Sequence, residues 1–309
     1  MNTEKIHRQF LSSRLLLFTF VFVFIVVRLY PFTHLGNLSL WACLLIQIGI
    51  AFFLLQLNDT FKIIQNHTYL PALLYLLLIG GNPVFYNNFR GSIAALCLVL
   101  CCYFLFDSFQ KPNSQLNALN ISLLLVLGSL LWTPLLFFFP LFWYGFQRFQ
   151  CFNARVFFAN LLGFFIVYLF IFAWSIFQGD KHIFFSLLPQ FDALFVFQRT
   201  ELTGIEWVIA GFLFAIYLVI GIYLFFYNIS EKVWTISILS YFYFSTFIIF
   251  IFFFFQNEYK SSWVLIIYIP IAFLTGHFFS RTNNQRIHYL LLLFILFIIG
   301  TKFFQHLGA

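Results

Sequence analysis

Six side chains in this sequence are of a type and placement suited to chemistry at a phosphate. Arg28, Arg90 and Arg199 are the cations; Asp180, Asp192 and Glu201 are the carboxylates. A guanidinium presents a planar fork of donors that matches a phosphate bidentately, and it stays charged at any physiological pH. A carboxylate nearby can take the proton of an acceptor hydroxyl. Arg28 closes the apolar run that begins at Leu15, and Arg90 opens the run Gly91 to Phe106, so each falls at headgroup level. The same positions suit a plain anchor whose cation snorkels to the interface. Asp180, Asp192, Arg199 and Glu201 lie in the longest polar stretch, Gln178 to Glu206, where a solvated surface is the ordinary state of a carboxylate.

Other chemistries lack their residues. There is no phosphate-loop glycine pattern, no His-Glu-x-x-His, no Gly-x-Ser-x-Gly and no Cys-x-x-Cys. Cys97 and Cys101 stand one helical turn apart, yet no His or second Cys pair has ligand spacing beside them, and they read as small apolar filler. No metal or cofactor is called for. A coupled transporter places ionisable groups at membrane depth, and a channel needs a charged ring or filter. Here His277, near a span end, is the one such residue in the second half. A lipid or small-molecule transporter is therefore the least favoured function.

The elements that must position these residues follow from composition. Of 309 residues, 63% are hydrophobic and 8% charged, against about 45–50% and 25% in soluble domains. Such a chain cannot cover itself with polar surface in water, which excludes a soluble enzyme. The net charge of +7 is spread singly along the chain, so nucleic acid is not a partner. Membrane lipid is the implied surrounding, and the fold class is all-α, a polytopic transmembrane bundle forming one integral membrane domain over residues 1–309. Apolar runs predict spans at 10–30, 38–57, 67–79, 91–106, 155–177, 207–227, 233–255, 263–279 and 288–303. The uncharged stretch 118–149 is too long for one crossing, and Trp132-Thr133-Pro134 interrupts it, predicting two short helices. That makes about eleven crossings, with short or broken helices near 67–79 and 118–149. Trp207, Trp234 and Trp263 each sit at a span start, as an interfacial aromatic belt would place them. With the N-terminus cytoplasmic, inner segments carry nine Lys or Arg against five outside. The expected location is a bacterial inner membrane, with the 178–206 loop on the outer face.

Two resemblances bear on function. Leu57-Asn58, Thr68-Tyr69-Leu70-Pro71-Ala72-Leu73, Arg90-Gly91-Ser92-Ile93-Ala94-Ala95, Leu127 to Pro134 and Ala159 to Gly163 resemble an uncharacterised family of multi-pass inner-membrane proteins from the Bacteroidota. Alternating long and short helices broken at a Trp-Thr-Pro turn are, more loosely, similar to the membrane half of GT-C glycosyltransferases. That resemblance implies a polyprenyl-phosphate-linked sugar handled on the outer face in envelope glycan or glycoprotein assembly. Arg28 and Arg90 would hold the phosphate, with Arg199 a further cation, and Asp180, Asp192 or Glu201 would supply the base. In that family the catalytic acid typically lies in the first outer loop. Here that loop, Pro31 to Asn37, holds no Asp or Glu. The alternative is a non-enzymatic membrane scaffold with an envelope protein partner.

Overall fold

The computed structural model describes residues 18, 21–22, 24–25, 38–64, 68–80, 85–179, 184–185, 188, 204–227 and 233–281. Nine helices are bounded among them: α1 (Leu38–Phe61), α2 (Leu70–Gly80), α3 (Phe89–Asp107), α4 (Gln115–Ser129), α5 (Phe138–Arg148), α6 (Ala154–Gln178), α7 (Gly204–Tyr227), α8 (Val233–Phe255) and α9 (Lys260–Arg281). Short 3₁₀ turns at Thr133–Phe137 and Asn257–Tyr259 lead into α5 and α9. Helices are the expected answer to this composition, since in hydrocarbon a backbone group bonds within its own segment or not at all.

Six of these segments, α1, α3, α6, α7, α8 and α9, are long and apolar enough to cross a membrane. Of the eleven predicted crossings, those at 10–30 and 288–303 fall outside the bounded helices. The other three correspond to α2, α4 and α5, which have 11, 15 and 11 residues. At about 1.5 Å per residue, α2 and α5 are only about 16 Å long and α4 about 22 Å. A hydrocarbon core of about 30 Å is longer than any of them.

The chain divides by its contacts into two compact units, Met1–Ser92 with Thr200–Ala309, and Ile93–Arg199. Helix α3 begins in the first and runs through the second.

In the first unit α9 is the central helix. Its apolar window is 83% buried, whereas that of α7 is 22% buried and leaves most of its apolar surface exposed. Helix α2 packs on α1 and α9 and is buried along nearly its whole length. Pro71 stands in its first turn, where the missing N–H costs nothing. Gly276 of α9 lets Pro71 approach closely, since a Cβ there would lie 3.2 Å from the proline ring. The aromatic-belt reading needs correction at Trp263. That indole is fully buried, stacks on Phe252 at 5.1 Å and donates to Gln256 Oε1 at 3.1 Å. It is a core residue, because α9 lies inside the unit instead of on its rim. Trp234 donates to the Phe61 carbonyl at 2.8 Å, tying α8 to the end of α1, while Trp207 stays half-exposed.

In the second unit the stretch predicted as two short helices does break at Trp132-Thr133-Pro134. Helix α4 ends at Ser129, and the chain returns through the 3₁₀ turn and α5. The two ends of this excursion meet. Ser114 Oγ donates to the Cys151 carbonyl at 3.5 Å, and Gln110 N–H to the Phe149 carbonyl at 3.1 Å. The chain therefore enters and leaves on one side, and Lys111, Arg148 and Arg155 share that end. Helix α6 then runs beside α4 in the same direction: Asn153 Nδ2 donates to the Pro112 carbonyl at the start, Gly163 faces Ser122, and Val167 and Tyr168 pack on Val126. Asn153 caps α6 by accepting from Val156 N–H at 2.8 Å, and Gly179 ends it at φ +71°. Val156, Asn160, Gly163 and Val167 form the buried stripe of α6; Phe158, Leu162, Phe165 and Leu169 face outward. Polar and small residues inward, large apolar residues outward, is the arrangement a lipid solvent favours.

Candidate functional site

The described part of the predicted site is the N-terminal end of α3. Asn88 is the N-cap, its Oδ1 accepting from Gly91 N–H at 2.9 Å. Its Nδ2 reaches across to the start of α9, donating to Ser261 Oγ at 3.1 Å and Ser262 Oγ at 3.2 Å. Ser92 Oγ donates to the Asn88 carbonyl at 2.8 Å. Deeper, the buried Gln47 of α1 donates to Ser92 Oγ at 3.0 Å and to the Phe85 carbonyl at 3.2 Å. Gly91 permits this meeting, because a Cβ there would stand 2.8 Å from both Asn88 Nδ2 and Ser262 Oγ.

The network holds two helix N-termini side by side, those of α3 and α9. Each N-terminus carries a partial positive charge from its unpaired N–H groups. Neither first turn contains an acid to offset it. Instead Arg90 is the second residue of α3 and Lys260 the first of α9. A cation at that end opposes the dipole by about 0.3–1 kcal/mol. Arg90 is exposed, and no described residue forms an ion pair with it. Arg90 and Glu258 both lie within electrostatic reach of the Tyr259 hydroxyl. Two cations, two positive helix ends and one carboxylate thus share one end of the unit. Such a surface can attract an anionic oxygen group, with the exposed Arg90 guanidinium as its donor, since the Phe89 and Gly91 N–H groups are already taken by the Asn87 carbonyl and Asn88 Oδ1.

Arg28, Arg199, Asp180, Asp192 and Glu201 lie outside the described residues, so Arg90 is the predicted site residue whose surroundings are on view. Asn88 stood near it in the sequence. Gln47, Ser261 and Ser262 were not legible as its partners, although a glutamine inside an apolar run is itself a signal of buried hydrogen bonding. No group of three or more His, Cys, Asp or Glu is placed to hold a metal ion among the described residues. Cys97 packs on Gly128, and Cys101 lies 3.7 Å from the Ile121 carbonyl, so both thiols serve the contact of α3 with α4. His277 is buried in α9 with its ring 6.2 Å from that of Tyr223.

The opposite end of α3 carries a structural cluster. Asp107 accepts from Lys111 at 2.6 Å and from Asn117 at 2.9 Å, and Asn117 also donates to Ser108 Oγ. The ion pair is half-exposed on both sides, worth about 0–1 kcal/mol. Its role is to fix the turn into α4.

No protein-family model, curated protein or solved structure matches this chain. The site stands on its own geometry.

Proposed function

We propose that this membrane-embedded chain is a multi-pass protein of a bacterial inner membrane that holds the phosphate of a polyprenyl-phosphate-linked sugar at the Arg90 end. In this reading the N-terminus is cytoplasmic, the chain crosses about eleven times, and the Arg90 end faces outward. The protein is GT-C-like and works in envelope glycan or glycoprotein assembly. Arg28 and Arg199 add to the phosphate grip, and Asp180, Asp192 or Glu201 activates the acceptor hydroxyl. The supporting observation is an exposed arginine at the second position of α3, beside the N-terminus of α9 and Lys260.

Native mass spectrometry of the full chain, with lipids retained, tests the proposal. The expected result is a polyprenyl-phosphate adduct on the wild type that falls at least tenfold in Arg90→Ala, with membrane insertion unchanged. An adduct of bulk phospholipid alone, or one indifferent to Arg90→Ala, refutes it. A non-catalytic scaffold is the second reading, favoured by the missing acid in residues 31–37. A stoichiometric envelope protein in place of the lipid adduct would establish that one.

A further inference from the structure

The second unit holds a buried amide in the middle of a membrane helix. Asn160 of α6 is 1% exposed, and neither its Nδ2 nor its Oδ1 has a hydrogen-bond partner among the described residues. It stands between two ring contacts that lay α5 along α6. Trp143 packs on Phe157 at 5.2 Å, and Phe139 on Phe164 at 5.9 Å. On its other side Gly163, one turn on, brings α4 close at Leu119 and Ser122. The Trp143 Nε1 is a second buried polar atom with no partner among the described residues. Further along, Tyr168 packs on Phe164, and its hydroxyl is a third buried polar atom with no partner among the described residues. Residues 157, 160, 164 and 168 recur at helical spacing, so these groups line one seam where α4, α5 and α6 meet.

An unbonded amide is costly in a protein interior and more so at membrane depth, where water is scarce. Native proteins satisfy nearly all such groups. The two orphan atoms of Asn160 are of opposite kind: the nitrogen donates and the oxygen accepts. One hydroxyl answers both, accepting from Nδ2 and donating to Oδ1, with a lone pair left for a donor such as Trp143 Nε1. No charged side chain stands at 157, 160, 164 or 168, so a neutral hydroxyl suits the seam where a phosphate does not. We propose that Asn160 is the centre of a buried binding site for a neutral hydroxyl group in the α4–α5–α6 seam. The hydroxyl comes from bound water or from the uncharged alcohol of a lipid. This site is separate from the Arg90 end and does not depend on the reading given there.

The sign of one substitution tests the proposal. Asn160→Leu keeps the volume and removes both polar atoms. If the amide is unbonded in the native protein, the change removes a buried penalty and the unfolding midpoint stays or rises. If a hydroxyl bonds to it, the change strips that hydroxyl of its partners, and the midpoint falls. The expected result, for the purified full chain in mild detergent, is a fall of about 2 °C or more. An unchanged or raised midpoint overturns the proposal. Two measurements on the wild type identify the source and stand even where the variant fails to fold. Radiolytic hydroxyl footprinting that labels Trp143, Phe157 or Tyr168 with slowly exchanging oxygen identifies bound water. A neutral hydroxylated lipid retained in native mass spectrometry, and lost on Asn160→Leu, identifies a lipid alcohol. The absence of both the label and the lipid overturns the site, whatever the variant's stability.

Discussion

Gly163→Ala is the sharpest test of how the second unit is held together. Helices α4 and α6 run side by side, and Gly163 is their point of closest approach. A Cβ there would overlap the Ser122 hydroxyl, and it would also lie 3.0 Å from the Leu119 carbonyl oxygen and 3.1 Å from Ser122 Cβ. The hydroxyl can rotate away, but only by leaving its 2.9 Å bond to Leu119 O. The other two contacts belong to backbone and Cβ, so the helices must separate by a few tenths of an ångström. Overpacking of this kind costs about 1–3 kcal/mol. Displacing the hydroxyl adds about 0.5–1.5 kcal/mol. Separation would also loosen the Val126–Val167–Tyr168 core one to two turns further along. The assay is thermal unfolding of the purified protein in mild detergent, with Ser122→Ala and the double variant completing a cycle. Ser122→Ala alone should be mild. The double variant should recover about 1 kcal/mol, because the worst overlap is gone while the 3.0 and 3.1 Å contacts remain. Wild-type stability in Gly163→Ala, or no recovery in the double variant, would refute the close parallel packing of α4 and α6.

Three further outcomes are expected. Gly91→Ala should push Asn88 off Ser262, lowering stability by about 1–3 kcal/mol in the same assay and weakening any anion held at Arg90; an unchanged melt would remove the network from the site. Trp263→Phe should keep the stack on Phe252 but remove the indole N–H that Gln256 Oε1 accepts, a loss of about 0.5–1.5 kcal/mol that unfolding measures directly. Burial pushes the Cys151 thiol up to about 11, against a weaker opposing bond from Ser114. It should resist maleimide at pH 8 in the folded protein, and stability should fall between pH 9 and 11, where the unfolded thiol ionises and the folded one stays neutral; rapid native labelling at Cys151 would contradict its burial.

How much of this was legible depended on which signal each element left. Helix α8 coincides with the predicted 233–255, because an Asn-to-Lys polar segment and a Gln-Asn pair bound its apolar run. The break at Trp132-Thr133-Pro134 was legible because proline cannot continue the backbone ladder. Helix α1 runs four residues past its predicted end, through Asn58 and Asp59. There Asn58 Oδ1 accepts from Ile64 N–H at 3.0 Å, a local bond that hydropathy does not register. Trp263 was misplaced because a span-opening tryptophan has the same sequence signature whether its helix sits on the rim or in the core. At the Arg90 end, one arginine at a span boundary was visible in advance, and its neighbours from α9 were not.

By itself the sequence determined the solvent and the secondary structure. An apolar excess this large selects hydrocarbon, and hydrocarbon admits helices whose backbone groups bond within each segment. Only the tertiary structure decided which polar atoms meet. Asn88 finds Ser261 and Ser262 at separations of 173 and 174 residues, and Gln47 finds Ser92 at 45. Hydropathy is a property of single residues averaged along a run. A hydrogen bond between helices depends on rotation, depth and a glycine-sized gap, which are set when the helices pack.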